Sequence, residues 1–88
     1  MPSADEIRHT LRAFILDSFM KGAPPSELAD DASLSGTYVM DSARVLDLIL
    51  FLEETYAFEV QNDEALPENF DTVDNVVAYV QRKLSGRP

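Results

Sequence analysis

The most informative stretch of the sequence is residues 41–56, which read Asp41-Ser42-Ala43-Arg44-Val45-Leu46-Asp47-Leu48-Ile49-Leu50-Phe51-Leu52-Glu53-Glu54-Thr55-Tyr56. Aspartate and serine are both preferred at the N-cap of a helix, and neither glycine nor proline interrupts residues 43–56. The sequence therefore predicts a helix that begins at Asp41 or Ser42 and ends at Tyr56 or Ala57.

This predicted helix is apolar on two sides. Each residue advances the helix by about 100°, which places five apolar side chains in one sector wide enough to face a core: Val45, Leu48, Ile49, Leu52 and Tyr56. A second apolar set lies near the opposite side, in the sector of Asp47 and Glu54: Ala43, Leu46 and Leu50. Phe51 fits neither set. Either the preceding loop or another helix covers Leu46 and Leu50, or these leucines form an exposed strip on which a partner docks.

A second helix is predicted near the N-terminus. Ser3 and Glu6 form a capping-box pattern. Apolar residues then recur at three- and four-residue spacing: Ile7, Leu11, Phe14, Ile15 and Phe19. Gly22 and the prolines at 24 and 25 are stop signals, so we expect this helix to run roughly from Ala4 to Met20.

A third helix is predicted near the C-terminus. Residues 71–74, Asp-Thr-Val-Asp, supply a cap, and apolar residues continue at helical spacing towards residues 85–86: Val73, Val76, Val77, Val80 and Leu84. Valines also suit a strand, but the spacing and the cap favour a helix. One short helical turn is expected around residues 68–70. The sequence therefore predicts an all-α bundle of three main helices and one short helix.

The first two helices are joined by a long connection, residues 22–40. Long connections in small domains are usually functional or held down by their own side chains. Leu28, Leu34, Tyr38 and Val39 are the candidates for such packing.

Composition limits the classes of function. Eighty-eight residues predict a single domain with no room for an enclosed enzyme cleft. The absence of cysteine excludes disulfides and thiolate sites, and with no signal-peptide pattern or membrane-spanning run it predicts a cytoplasmic protein. Sixteen acidic and seven basic residues give a net charge of −9, which opposes nucleic-acid binding. That charge either favours docking on basic protein surfaces or only keeps the protein soluble.

Three segments of the chain resemble acyl carrier proteins. Asp41-Ser42 with the apolar and acidic residues up to Tyr56 resembles the second helix of that family. Asp31-Ala32-Ser33-Leu34 looks like its loop ahead of the modified serine, and Phe70-Asp71-Thr72-Val73 with Val77 and Tyr79-Val80 is similar to its last helix. The resemblance spans roughly residues 4 to 84. Its specificity comes from length, charge and helix order together with the register of the three segments.

The resemblance implies an acyl-carrier-like bundle that is not itself an enzyme. Ser42 would receive 4′-phosphopantetheine from coenzyme A through a phosphopantetheinyl transferase with Mg²⁺, and Asp41 would help to orient that complex. The thiol of the arm would carry an acyl group as a thioester. A loading ligase for acyl or aminoacyl groups and downstream transferases would be the other partners of a monomeric carrier. The residues implied to contact partners are Ala43, Arg44, Leu46, Asp47, Leu50, Glu53 and Glu54.

The chain departs from the family pattern around Ser42. Val39 stands where the family usually has glycine, and Ala43 stands where it usually has leucine, followed by the basic Arg44. These positions lie beside the implied docking surface, which favours a specialised carrier with its own loading enzyme. A fatty acyl, an aminoacyl and an aryl cargo all stay open.

Other interpretations of the same residues lead to different functions. If Ser42 is only an N-cap, the chain is a non-catalytic acidic adaptor that binds through Leu46 and Leu50. A hydrolase nucleophile is disfavoured, because no G-x-S-x-G turn surrounds Ser42 and the only histidine, His9, lies off the apolar stripe. No metal site is predicted, since the acidic pairs at residues 30–31 and 63–64 lack the spacing of a calcium loop.

Overall fold

The computed structural model describes residues 2–34 and 42–86, and within these ranges the chain is helical with no strand. Four α-helices follow one another: α1 (Ala4–Phe19), α2 (Ser42–Tyr56), α3 (Pro67–Phe70) and α4 (Val73–Ser85). Short 3-10 helices occupy Pro25–Glu27 and Asn62–Glu64. The predicted all-α bundle of three main helices and one short helix is confirmed. Asp41, and the predicted packing of Tyr38 and Val39, lie outside the described residues.

α1 and α4 begin where capping side chains accept from their first N–H groups. The Ser3 hydroxyl accepts from the Glu6 N–H at 3.2 Å, and the Ser3 N–H donates to Glu6 Oε1 at 2.9 Å, which is the predicted capping box. At α4 the Thr72 hydroxyl accepts from the Asn75 N–H at 3.0 Å. Thr72 is therefore the N-cap within the predicted 71–74 segment, whereas Asp71 accepts a hydrogen bond from the Ser33 hydroxyl.

The core is formed by the apolar stripes of the three long helices and by residues of the connections. The predicted valine stripe is helical, and it is buried because its three- and four-residue spacing keeps it on one face of α4. The buried apolar residues are Ile7, Leu11, Ile15, Leu28, Leu34, Leu48, Leu52, Phe70, Val73, Val76, Val77, Tyr79 and Val80. The predicted packing of Leu28 and Leu34 is confirmed. α1 packs most extensively against α4.

Polar contacts tie the first part of the α1–α2 connection to α1 and α4. Arg12 on α1 donates to the carbonyl oxygens of Pro25 (2.8 Å) and Leu28 and to Asp30 Oδ1 (2.7 Å). The backbone then pairs with the start of α4, since the Asp74 N–H donates to the Asp30 carbonyl at 2.9 Å. These contacts pair backbone carbonyl groups of the connection and fasten it to α1 and α4.

None of the helices formed by the described residues has the length and apolar character needed to cross a membrane.

Candidate functional site

The N-terminal turn of α2 places Ser42 as the first residue of a 15-residue helix. The first N–H groups of a helix have no intrahelical acceptor, and they carry the positive end of the helix dipole. The next residue, Ala43, is exposed. This end of α2 therefore combines an N–H-rich helix start with a small, exposed neighbouring side chain.

Arg44 in the same turn is held against α1. Its guanidinium carbon lies 5.6 Å from the centroid of the Phe19 ring, within the range of a cation–π contact. The basic residue that departs from the acyl-carrier pattern is thus half-buried and oriented by the aromatic end of α1.

The two apolar sides of α2 have different environments. Leu48 and Leu52 have 0% exposure and face the core, as their sector predicts. Leu46 and Leu50 are 61% and 56% exposed. The described residues therefore leave the second apolar side of α2 accessible at these two leucines.

The acidic residues of α2 do not form one uniform set. Asp47 and Glu54 are exposed, and neither belongs to a salt bridge among residues 2–34 and 42–86. Glu53 is half-buried, and its Oε2 accepts from the Val60 N–H at 2.9 Å. Glu53 therefore closes the turn after α2, whereas Asp47 and Glu54 point their charge towards solvent.

Phe51, which the helical pattern assigned to neither side, lies between α2 and α1. Its ring stacks on that of Phe14 with centroids 4.1 Å apart, and Phe14 in turn meets Phe19 edge-on at 5.4 Å. The periodicity of α2 alone does not reveal this contact, because the partner ring belongs to another helix. The signal was present in α1, whose predicted stripe carries both Phe14 and Phe19.

An open groove runs along this line of rings, and we call it the aromatic groove. Its α1 side is formed by Phe14, Ser18 and Phe19, and its α2 side by Asp47, Leu50, Phe51 and Glu54. The α2 members are spaced i, i+3, i+4 and i+7, which is one continuous face of a helix. Carboxylates therefore flank a floor of aromatic side chains.

A second polar cluster joins the 3-10 helix Asn62–Glu64 to α4. Glu64 Oε1 accepts from the Gln61 N–H (2.9 Å), from Lys83 Nζ (3.0 Å) and from the Tyr79 hydroxyl (3.1 Å). The hydrogen bond from the Gln61 backbone, with help from Lys83, lowers the pKa of Glu64. Burial, with the neighbouring Glu64 carboxylate, raises the pKa of Tyr79 far above its usual value. This cluster fastens the segment after α2 to the last helix.

Groups suited to hydrolysis or to metal binding are not assembled in the part of the chain that the structure describes. His9 is exposed, as its position off the apolar stripe predicts. Residues 2–34 and 42–86 contain no group of three or more histidine, aspartate or glutamate side chains that could hold a metal ion.

Comparison with known proteins gives matches to individual relatives, whereas no protein-family model matches the chain. An acyl carrier protein of Chlamydia trachomatis serovar D is 34% identical over 73 residues, which cover 83% of this chain and 90% of the relative. That of Exiguobacterium sibiricum is 32% identical over 63 residues, covering 72% and 77%. That of Thermotoga maritima is 29% identical over 84 residues, covering 96% and 99%.

Proposed function

Because the chain belongs to the acyl carrier protein family, we propose that it carries acyl groups between partner enzymes on a 4′-phosphopantetheine arm attached to Ser42. The observation that supports this assignment most directly is that Ser42 is the first residue of α2. The arm is joined through a phosphodiester, and a helix N-terminus is a favourable place for that negative charge.

The attachment step is a transfer from coenzyme A to the serine. Ser42 Oγ would form a phosphodiester with the phosphopantetheine phosphate of coenzyme A as the pyrophosphate bond of coenzyme A breaks, so that adenosine 3′,5′-bisphosphate leaves and the serine proton is released. A phosphopantetheinyl transferase with Mg²⁺ performs the step, and Asp41 helps to orient that complex. When bound, the arm supplies a thiol that holds the acyl group as a thioester. The chain's own residues present the arm and are recognised by partners, so the chain is not itself an enzyme.

The surface recognised by these partners lies along α2. Exposed apolar side chains bordered by acids match partner surfaces that carry basic residues around an apolar patch. The transferase, a loading ligase and downstream transferases would contact Ala43, Arg44, Leu46, Asp47, Leu50, Glu53 and Glu54. Glu53 is half-buried and already accepts the Val60 N–H, so its share in docking is smaller than that of the exposed Asp47 and Glu54.

The residues next to the attachment point support a specialised carrier. Ala43 is small and exposed, and Arg44 lies against Phe19. A partner that contacts this turn would meet a surface without the leucine that usually follows the serine in the family. We therefore propose a dedicated loading enzyme, with a fatty acyl, an aminoacyl or an aryl group as cargo.

Intact-mass measurement tests the attachment. The full chain is incubated with coenzyme A, Mg²⁺ and a broad-specificity transferase, and the mass should rise by one phosphopantetheine group. Ser42→Ala should abolish the increase, whereas the control Ser18→Ala, an exposed serine on α1, should retain it. Modification that persists in Ser42→Ala overturns the site. No modification of the wild-type chain favours the adaptor, which works without the arm.

A further inference from the structure

We propose that Asp30 is a positioning residue for the modification of Ser42, because it fixes the connection ahead of α2 and so limits where Ser42 is presented to the transferase. Asp30 acts through the backbone that leads to α2 and not by contact with the reacting atoms. The inference deepens the proposed function and rests on it, since the reaction concerned is the attachment of the arm to Ser42.

Asp30 joins three parts of the fold at one residue. Its carboxylate accepts from Arg12 on α1 at 2.7 Å and lies 3.6 Å from Arg8 Nε, one turn earlier on the same helix. Its carbonyl oxygen accepts from the Asp74 N–H in the first turn of α4 at 2.9 Å. Arg8 also donates to Asp74 Oδ1 at 3.1 Å, which links the two helices a second time. The arginine side chains are only 29% and 23% exposed, so salt screens these pairs less than pairs in open solvent.

The residues after Asp30 are fastened to the same end of α4. The Leu34 N–H donates to the Asp71 carbonyl at 2.6 Å, and the Leu34 side chain is buried in the core. The Ser33 hydroxyl donates to the Asp71 carboxylate at 2.9 Å. The neighbouring Asp31, by contrast, is exposed and forms no salt bridge among residues 2–34 and 42–86. Of these two adjacent carboxylates, Asp30 is therefore the one that holds the connection.

These contacts shorten the length of chain between the body of the fold and Ser42. Ser42 follows Phe19, the last residue of α1, by 23 residues, but it follows Leu34 by eight. At about 3.5 Å per residue, the largest reach is about 80 Å from Phe19 and about 28 Å from Leu34. A shorter reach limits the positions that the start of α2 can take when its first turn opens.

The start of α2 needs such a restraint, because the core holds this helix only further along. Among residues 43–56, Leu48 is the first that is buried, and Ala43 is exposed. Terminal turns of helices open more readily than their interiors. If Ser42 is correctly placed in only a fraction of the molecules, the apparent affinity of a partner falls by that fraction. Loss of the Asp30 contacts should therefore raise the KM of the transferase for this chain and leave kcat unchanged.

Steady-state kinetics of the transfer test the proposal on the full chain. Transfer from coenzyme A by a broad-specificity transferase with Mg²⁺ is measured at varied carrier concentration. Asp30→Asn should raise KM about threefold or more with kcat unchanged. Asp31→Asn removes the same charge from the adjacent residue and should change neither constant. Arg12→Lys disturbs the same contacts but keeps the charge, so it should raise KM by less.

Two further measurements separate positioning from general stability. Lys83→Gln breaks the ion pair with Glu64 at the other end of α4, so it should lower the free energy of unfolding and leave KM unchanged. Amide hydrogen exchange needs no transferase. Exchange at residues 43–47 should be faster in Asp30→Asn than in the wild type, in Asp31→Asn or in Lys83→Gln.

Three kinetic results would overturn the proposal. Equal increases in KM for Asp30→Asn and Asp31→Asn would mean that only net charge matters, and an equal increase for Lys83→Gln would mean that only stability matters. A lower kcat at unchanged KM would mean that Asp30 acts on the reaction itself. If Asp30→Asn does not fold, Arg12→Lys decides between the same outcomes.

Failure of the proposed function is distinguishable from failure of this inference. A wild-type chain that the transferase does not modify refutes the attachment site, while amide exchange at residues 43–47 still tests whether Asp30 holds the start of α2. A wild-type chain that is modified, with KM and exchange unchanged in Asp30→Asn, refutes the positioning role alone.

Discussion

The rings of Phe14 on α1 and Phe51 on α2 lie nearly parallel, 13° apart, with their centroids separated by 4.1 Å. This is the shortest ring–ring contact among the described residues. The stack links α1 to the helix that begins at Ser42, and both rings line the aromatic groove.

A double-mutant cycle measures that link. Phe14→Leu and Phe51→Leu keep apolar volume but remove the stacked faces, and each should lower the free energy of unfolding by about 1 kcal/mol. The double variant should lose less unfolding free energy than the two single variants lose together. The difference, the coupling energy, should be about 0.5–1.5 kcal/mol. Urea denaturation of the four proteins gives the values. As a control, Phe14→Leu combined with Phe70→Leu, which packs on Tyr79, should be additive.

Most of the fold was predictable because caps and helical stripes depend on residues that lie close together in the sequence. The capping box of Ser3 and Glu6 and the spacing of the α4 valines depend on neighbours three or four residues away. Sequence could not place Phe51, because its partner ring belongs to another helix. It also did not indicate that Glu53 would bond to the Val60 N–H, since that contact requires the chain to turn back after α2.

The candidate site was predictable to a similar extent. The pattern placed Ser42 at or next to the start of α2, and it assigned Leu48 and Leu52 to a different sector from Leu46 and Leu50, whose exposure it left open. That α1 side chains line a groove beside this face of α2 was not predicted. A groove between two helices depends on how far apart they lie, and the periodicity of either helix alone does not contain that distance.

The turn after α2 contains a strained residue, which predicts a stabilising substitution. Ala57 has φ of 57°, a left-handed conformation that favours glycine. Ala57→Gly should therefore raise the free energy of unfolding by about 1 kcal/mol. Gly22, with φ of 85°, has open space where an added methyl group would lie, so Gly22→Ala should cost about 1 kcal/mol through the backbone alone.

An alanine inside α1 provides the control for the substitutions at Ala57 and Gly22. Ala13→Gly, at an exposed position within α1, should destabilise the protein by about 1 kcal/mol, because glycine is unfavourable there. Urea denaturation of the three variants gives opposite signs for Ala57→Gly and Ala13→Gly. A loss of stability in both would contradict strain at Ala57.

Tyr79 should make the protein less stable in alkaline solution. Burial raises its pKa well above the value of about 10 that the unfolded chain would show. Above that pH the unfolded chain has released the phenolic proton while the folded chain retains it, so stability falls as pH rises. The limiting slope for one proton is about 1.4 kcal/mol per pH unit.

Tyr79→Phe isolates this effect. The variant loses the hydrogen bond to Glu64 and should be somewhat less stable at neutral pH. Its stability should nevertheless decline less steeply than that of the wild type between about pH 9.5 and 11, where the unfolded tyrosine ionises. Urea denaturation across this range compares the two proteins, and parallel declines would rule out Tyr79 as the source.

Arg12 should be sensitive to replacement by lysine even though the charge is kept. Its guanidinium reaches two carbonyl oxygens, of Pro25 and Leu28, and the Asp30 carboxylate at once. A lysine ammonium cannot match that planar fork. Arg12→Lys should therefore lower the free energy of unfolding by about 1–2 kcal/mol, and it should speed amide hydrogen exchange in residues 25–34.

Arg82→Lys provides the matched control, because Arg82 is exposed, donates to Asn69 at 2.9 Å and lies 6.0 Å from the centre of the Tyr79 ring, a cation–π contact that lysine can also make. Arg82→Lys should lower the free energy of unfolding by less than about 0.5 kcal/mol. If only the charge at residue 12 fastened the connection, Arg12→Lys would lower the free energy of unfolding as little as Arg82→Lys does. Amide exchange in residues 25–34 would then not change. A large loss with faster exchange confined to that segment identifies the guanidinium fork as what fastens the connection ahead of Ser42 to α1.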